Sequence, residues 1–307
     1  MRRALFRILF AGLYLLGAGL SSAAHAQGRA YDDPESKVVA DVVIVMPGNG
    51  PAWWKVSKGD AVAWVLALPP ALAPRDLQWD KTLLERRMKG ARALYLPPDG
   101  RSRLDGRWTE ALPAWTQAHI ALAAQNAGFE PQRYIEPPSL TKVLDLRGDF
   151  IRKAKLGFDP EDDIRASARR HRARIFKPEA LTVQLSPEVF NDSDAEVAAC
   201  LTAMLFEIET DPQVFQEQAG YWARGRVTRA LEGPRGSLPV CMNRMLPGYS
   251  RRLIETQTAQ ISEALQTPGK IVAVVPMRQL LAEEGVLQRL RAQGFTVSDP
   301  GAHLTED

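Results

Sequence analysis

The sequence contains few of the residues and motifs that mark metal sites, disulfide scaffolds and membrane spans. Only two of its 307 residues are cysteine and four are histidine, which excludes a disulfide-rich scaffold and a cysteine zinc ribbon. No GxSxG elbow, P-loop or GxGxxG motif occurs, so the hydrolase and nucleotide-binding classes that these motifs mark are not indicated. Residues 8–20 are apolar and uncharged but fall short of the roughly 20 residues that a spanning helix needs.

The first 26 residues are predicted to form a signal peptide. Three arginines make a basic n-region, residues 8–20 make the apolar segment, and residues 24–26 fit an A-x-A cleavage site. An uncleaved N-terminal anchor is the alternative. Cleavage after Ala26 predicts a periplasmic or secreted protein with no transmembrane segment.

The apparent excess of positive charge lies in the predicted signal peptide. The whole chain has 39 Lys and Arg against 36 Asp and Glu. Residues 1–26 carry three arginines and no acid, so the mature chain has 36 of each sign and a formal net charge of zero. Net charge therefore gives no reason to expect a nucleic-acid partner.

The two cysteines allow two interpretations. An oxidising compartment permits a disulfide between Cys200 and Cys241, and two separate buried thiols are the alternative. Cys200 lies on an apolar helical stretch, which is typical of a core position rather than of a nucleophile.

The pattern of apolar residues and turn signals predicts a helix-rich α/β (or α+β) fold with a small mixed central sheet. Residues 54–66 form an N-terminal β-hairpin around Gly59. The C-terminal end is a strand–helix–strand unit with its helix over residues 277–293. Strands are also predicted over residues 93–96, 270–275 and 295–298, and helices over 80–89, 112–126, 139–155, 193–209 and 249–266, with further helix starts at 159 and 211.

The predicted organisation is a signal peptide (1–26), a linker with an extended arm (27–50), one domain (51–300) and a short tail (301–307). The arm includes the β-branched residues 38–46. Such a segment could add a strand to a partner, which would make the protein a chaperone or scaffold.

Two side-chain clusters have both a binding and a structural interpretation. The basic residues within 165–174 follow an acidic first turn, a pattern that favours a solvated, ion-paired helix over an anion-binding face. The four tryptophans at 53, 54, 64 and 79 could line a sugar pocket, but their spacing favours the core of the hairpin.

Several strings in order resemble the TraB/GumN family, relatives of the TIKI-type metalloproteases. Residues 51–60 (PAWWKVSKGD), followed by the Trp-Val-Leu of residues 64–66, are similar to the family's opening. Residues 156–164, the W-x-x-G of 222–225 and the C-terminal residues 270–295 are similar to later family motifs. The resemblance covers about residues 51–300.

The resemblance implies a metal-dependent hydrolase whose ligands this sequence lacks. The family's two GxxH motifs and a Glu would hold a divalent metal and activate water. The first motif falls on Ala67 and Pro70, the Glu falls near Pro97, and the second motif falls on Val275 and Arg278. Proline has no ligand atom, and arginine is a permanently protonated donor.

We therefore expect a non-catalytic exported factor that needs no cofactor and binds an unknown envelope ligand or protein. The family's Arg-Asn pair falls near Arg251 and Arg252, without the Asn, and these join Arg278 as candidate binding residues. Arg278 could turn a metal pocket into an anion pocket, or it could fill space or pair with a carboxylate.

The alternative is an active metal-dependent hydrolase or peptidase whose non-standard site combines carboxylates with the same three arginines. If the residue assignments are correct, Pro70, Pro97 and Arg278 should converge on one pocket at the strand ends.

Overall fold

Six strands form one mixed sheet in the order β4-β3-β5-β2-β1-β6. The computed structural model describes residues 33–38, 50–69, 72–98, 111–179 and 194–303. The strands are β1 Trp53–Lys58, β2 Ala61–Leu68, β3 Ala93–Tyr95, β4 Arg174–Phe176, β5 Gly269–Pro276 and β6 Thr296–Ser298. The helices are α1 Thr82–Met88, α2 Thr116–Asn126, α3 Gln132–Ile135, α4 Leu140–Lys153, α5 Glu161–Arg170, α6 Asp194–Glu209, α7 Pro212–Ala223, α8 Val227–Glu232, α9 Ser237–Met245, α10 Tyr249–Ala264, α11 Met277–Leu281 and α12 Val286–Ala292.

Strands β1 and β2 form the predicted hairpin. Gly59 takes a φ of 56° in the turn, a conformation that glycine adopts without steric cost, and Lys58 pairs with Ala61. Trp53, Trp54 and Trp64 are all buried. They therefore belong to the core and not to a sugar pocket.

Strand β5 lies inside the sheet between two parallel neighbours. It pairs with β2 on one side and β3 on the other, and β3 pairs with β4, all in parallel. Residues 271–275 are almost fully buried, as expected for a parallel strand covered on both faces. The carboxyl ends of these four strands therefore lie along one edge of the sheet.

The helices build a second core beside the sheet. One hydrophobic cluster surrounds the sheet, and another joins α2, α4, α6 and α9. Inside the helical cluster a disulfide links Cys200 of α6 to Cys241 of α9. The disulfide interpretation of the two cysteines is the one that the structure supports.

Aspartate side chains bond the first turn at three of the predicted helix starts. The carboxylates of Asp80, Asp159 and Asp211 accept the backbone N–H of Thr82, Glu161 and Gln213. These bonds satisfy donors that the first turn leaves unpaired. The predicted fold class, with its hairpin and its C-terminal strand–helix–strand unit, is confirmed.

The prediction of one helix over residues 277–293 is wrong, because the chain breaks between α11 and α12. At the break the backbone N–H of Glu283 donates to the Lys37 carbonyl at 3.0 Å, and Ala282 forms a β-bridge with Val38. Local helical periodicity therefore gives way to pairing with a segment about 245 residues earlier in the sequence.

Four short elements, α3, α8, α9 and β4, were not predicted. Several predicted features lie outside the described residues, namely the signal peptide, most of the arm at 38–46, the first residue of the helix predicted over 193–209, and the last four residues of the tail. Among the described residues no helix combines the length and hydrophobicity that a membrane crossing requires. The predicted domain boundaries remain predictions.

Gly285→Ala should destabilise the protein. A Cβ at this position would lie 2.6 Å from the Gln279 carbonyl oxygen and 2.8 Å from the Ala282 nitrogen, and backbone atoms cannot rotate away. We expect a loss of about 1–3 kcal/mol in the free energy of unfolding, measured by urea denaturation. Gly301→Ala, where no atom lies within 4 Å, is the matched control. Equal stabilities of the two variants would contradict the proposed packing.

Candidate functional site

The parallel pairing of β2 and β5 aligns the two places where the family motifs fall. Ala67 lies directly opposite Val275, and Leu68 lies opposite Pro276. The indole N–H of Trp222, from the W-x-x-G string, donates to the Ala67 carbonyl at 2.8 Å. A buried tryptophan of α7 therefore holds the end of β2 at the carboxyl edge of the sheet, where open α/β sheets bind their ligands.

The three positions at which the resemblance predicts lost metal ligands are only partly located. Arg278 is the second residue of α11, directly after β5, and Pro97 follows β3 at the same edge. Pro70 lies outside the described residues. A cavity of about 260 Å³, here called the edge cavity, is lined by Arg278 and by Pro69 but not by Pro97. Their convergence on one pocket thus remains a prediction.

A segment that precedes the sheet completes the edge cavity. Residues 33–38, here called the strap, form a short 3-10 turn over Pro34–Ser36. The Asp33 side chain accepts the Glu35 backbone N–H at 3.0 Å. Glu35 is buried and lines the edge cavity. A carboxylate from the N-terminal side of the hairpin therefore lies at the strand ends.

The two carboxylates of the strap are held by buried polar partners. Glu35 Oε1 accepts hydrogen bonds from Ser250 Oγ at 2.6 Å and Gln279 Nε2 at 3.1 Å. Asp33 Oδ2 lies 2.7 Å from Arg235 Nη2, and the Asp33 side chain is fully buried. Asn243 Nδ2 donates to Asp33 Oδ1 at 3.1 Å. These bonds offset the cost of removing two charges from water.

Arg278 interacts with backbone carbonyls as well as with the charges around it. Its Nη2 donates to the Leu231 carbonyl at 2.6 Å and the Gly233 carbonyl at 3.4 Å. Burial, and after it the charge of Arg235, lower the pKa of the Arg278 guanidinium, while Glu35 and Asp33 act in the opposite direction. Asp33, Glu35, Arg235 and Arg278 together form what we call the charged quartet.

The charge of Glu35 also acts on α10. Burial raises the pKa of the Tyr249 hydroxyl, and the Glu35 carboxylate raises it further, because a second negative charge nearby disfavours the phenolate. The strap, α10 and α11 therefore share one electrostatic environment.

The other two candidate arginines do not line the edge cavity. Arg251 forms an ion pair with Glu284 at 2.7 Å. The Arg252 Nε and Nη2 atoms are buried and have no hydrogen-bond partner among the described residues. Of the three candidate arginines, Arg278 is the one that faces the cavity.

Sequence reasoning missed the strap and Arg235. The strap falls at the start of the predicted linker, because the residues before the extended arm are polar and contain a proline. The same composition suits a buried polar network when partners are available elsewhere in the fold. No local motif distinguishes these cases, since the partners Ser250, Gln279 and Arg235 lie about 200 residues or more away.

The basic run at 165–174 is ion-paired, as its acidic first turn indicated. Arg165 Nη2 lies 2.5 Å from Glu161 Oε1, and Arg170 and His171 both contact Glu85. The run is not wholly helical, which corrects the prediction. Helix α5 ends at Arg170, and the chain turns before Arg174 begins β4.

A mixed sheet of six strands, together with the many helices packed around it, places the protein in the α/β class. A sequence model of the TraB/PrgY/gumN family matches residues 52–299, and the chain belongs to this family. The resemblance drawn from the sequence motifs is therefore confirmed. Searches of curated proteins and of solved structures returned no match. The strap precedes the matched residues.

Asp33→Asn should destabilise the protein by leaving Arg235 without its counter-ion. Breaking a buried ion pair costs about 3–5 kcal/mol, and the Arg235 side chain remains 21% exposed. We therefore expect a loss near the lower end, about 3 kcal/mol, in urea unfolding. Glu232→Gln, which breaks the exposed pair with Arg229, should cost about 1 kcal/mol or less. Similar losses in both variants would argue against a tightly packed strap.

Glu85→Gln should lower stability at neutral pH but not at acid pH. Burial raises the pKa of the Glu85 carboxyl, but hydrogen bonds from Arg170, Ser167 and His171 outweigh this and lower it below its ordinary value. A depressed folded-state pKa contributes stability above the unfolded value of about 4.3, and this is lost as the pH falls through the folded value.

Urea unfolding of wild type and Glu85→Gln over an acid pH series measures this difference, with Glu232→Gln as an exposed control. A difference between Glu85→Gln and wild type that stays constant through the acid range would show that the carboxylate charge is not responsible.

Proposed function

We propose that this chain is an exported member of the TraB/PrgY/gumN family that acts as a non-catalytic binding or envelope-associated factor. It would bind its ligand at the carboxyl edge of the parallel strands, where the family resemblance implies a metal-dependent hydrolase. The observation that carries this proposal is Arg278. It stands directly after β5 and lines the edge cavity, at the position where the resemblance implies a histidine ligand.

The residues at this edge do not fit a divalent metal. Arginine donates hydrogen bonds and supplies no lone pair, and Pro97 has no ligand atom in its side chain. Within the described ranges, no group of three or more His, Cys, Asp or Glu side chains is arranged to hold an ion. We therefore derive no catalytic step that uses a metal.

The export part of the proposal has support from the cysteines and from the predicted signal peptide. A disulfide between Cys200 and Cys241 is compatible with an extracytoplasmic protein, because oxidising compartments allow such bonds to persist. The basic, apolar and small-residue regions of residues 1–26 are those of a cleavable signal.

An anion-binding role is one of the two interpretations of Arg278, and in it the guanidinium would bind the negatively charged group of a ligand. Arg278 Nη2 donates to two backbone carbonyls, which fixes the guanidinium against the C-terminal end of α8. A guanidinium held in this way is preorganised to present its remaining N–H groups to a ligand.

Metal analysis of the purified mature protein tests the proposal. We expect no stoichiometric zinc, manganese or cobalt after purification without chelator, and no peptidase activity that chelation removes. Full metal occupancy lost together with a peptidase activity on chelation would overturn the proposal in favour of the hydrolase alternative. Arg278→Ala, measured in parallel, should not change the metal content.

A further inference from the structure

The edge cavity has the size and walls of a site for a small molecule with an aliphatic part. Its volume of about 260 Å³ lies below the range of about 300–1,000 Å³ typical of drug-sized ligands. Much of the wall is apolar. It includes Leu68, Pro69, Pro234, Pro276 and Met277.

Glu35 presents one carboxylate oxygen to this cavity. Both hydrogen bonds to its side chain end on Oε1. No hydrogen bond to its Oε2 atom is found among the described residues, and Glu35 lines the cavity. A carboxylate whose first oxygen is fixed by Ser250 and Gln279 offers its second oxygen in a defined direction.

Arg278 presents donors to the same cavity. Its Nη2 atom donates to the Leu231 and Gly233 carbonyls, while no acceptor for Nε or Nη1 is found among the described residues, and Arg278 lines the cavity. The Glu35 carboxylate raises the pKa of the Arg278 guanidinium, although burial lowers it more. One acceptor and one donor of opposite charge therefore face the same small space.

The charge balance of the quartet limits which ligand fits. Two carboxylates and two guanidiniums cancel, so the quartet has no formal net charge. A bound anion or a bound cation would leave one surplus charge in a largely buried site, which is costly. A ligand that carries both charges keeps the balance and adds an attractive contact at each end.

We infer that the edge cavity binds a small zwitterion of the α-amino-acid class, with its ammonium group on Glu35, its carboxylate on Arg278 and its side chain against the apolar wall. This inference rests on the proposed function, because it names the ligand class of the same site. It also assigns a binding role to the strap, which lies outside the family match. Glu35 is thus a specificity residue that the matched domain does not contain.

Calorimetric titration of the full mature protein with three matched probes tests the inference. L-leucine carries both charges, 4-methylpentanoate lacks the ammonium group, and 3-methylbutylamine lacks the carboxylate. We expect leucine to bind, and each single-charge probe to bind at least about tenfold more weakly, the scale of one lost charge-assisted hydrogen bond.

Two variants assign the two ends of the ligand. Glu35→Gln keeps an acceptor for Ser250 and Gln279 but removes the charge, so it should weaken the binding of leucine by at least about tenfold. It should not weaken the binding of 4-methylpentanoate, whose charge would then balance the remaining positive charge of the quartet. Arg278→Gln should weaken the binding of leucine and of 4-methylpentanoate, but not the binding of 3-methylbutylamine. Glu232→Gln, an exposed carboxylate on α8, is the control and should bind all three probes like wild type.

The inference would be overturned if leucine does not bind. It would also be overturned if leucine binds no more tightly than the two single-charge probes. Equal leucine affinities of the Glu35→Gln and Glu232→Gln variants would overturn it too. The probe series on the wild-type protein decides the question even if Glu35→Gln fails to fold. None of these results bears on metal content or peptidase activity, so a failure here and a failure of the proposed function are distinguishable.

Discussion

The in-register pairing of β2 with β5 is the contact on which the rest of the site depends. These strands run parallel, so their carboxyl ends meet, and Ala67 lies opposite Val275. Each strand then leads directly into the wall of the edge cavity, through Pro69 on one side and Arg278 on the other. Trp222 fixes the end of β2 from the helical side. A slip of this pair by one residue would turn every side chain of β5 to the opposite face.

The strap supplies the negative charge that balances two arginines at this edge of the sheet. Arg235 and Arg278 lie close enough for one charge to lower the pKa of the other, and a largely buried pair of guanidiniums needs compensation. Asp33 and Glu35 supply it, and Asn243 Nδ2 donates a hydrogen bond that holds Asp33 in place. Removal of residues 27–46 would therefore change the electrostatics of the site as well as delete the extended arm. A change in partner binding after such a deletion could therefore not be assigned to the arm alone.

Local signals predicted the features that depend on neighbouring residues. The hairpin follows from Gly59, and several helix starts follow from capping aspartates within two residues of the first turn. The break between α11 and α12 could not be found in this way, because it depends on Lys37 and Val38. Glu35 escaped detection for the same reason. Its role is defined by partners on α10 and α11, and a polar sequence around a proline is equally typical of a linker.

The pairing of Asp33 with Arg235 has a consequence for the evolution of the family. Neither charge can be replaced alone without leaving the other buried and uncompensated. Substitution at one position should thus favour substitution at the other, so that the two residues are gained and lost together among relatives. One member of this pair stands outside the matched domain and the other within it, so an N-terminal extension of this kind and Arg235 should be inherited as a unit.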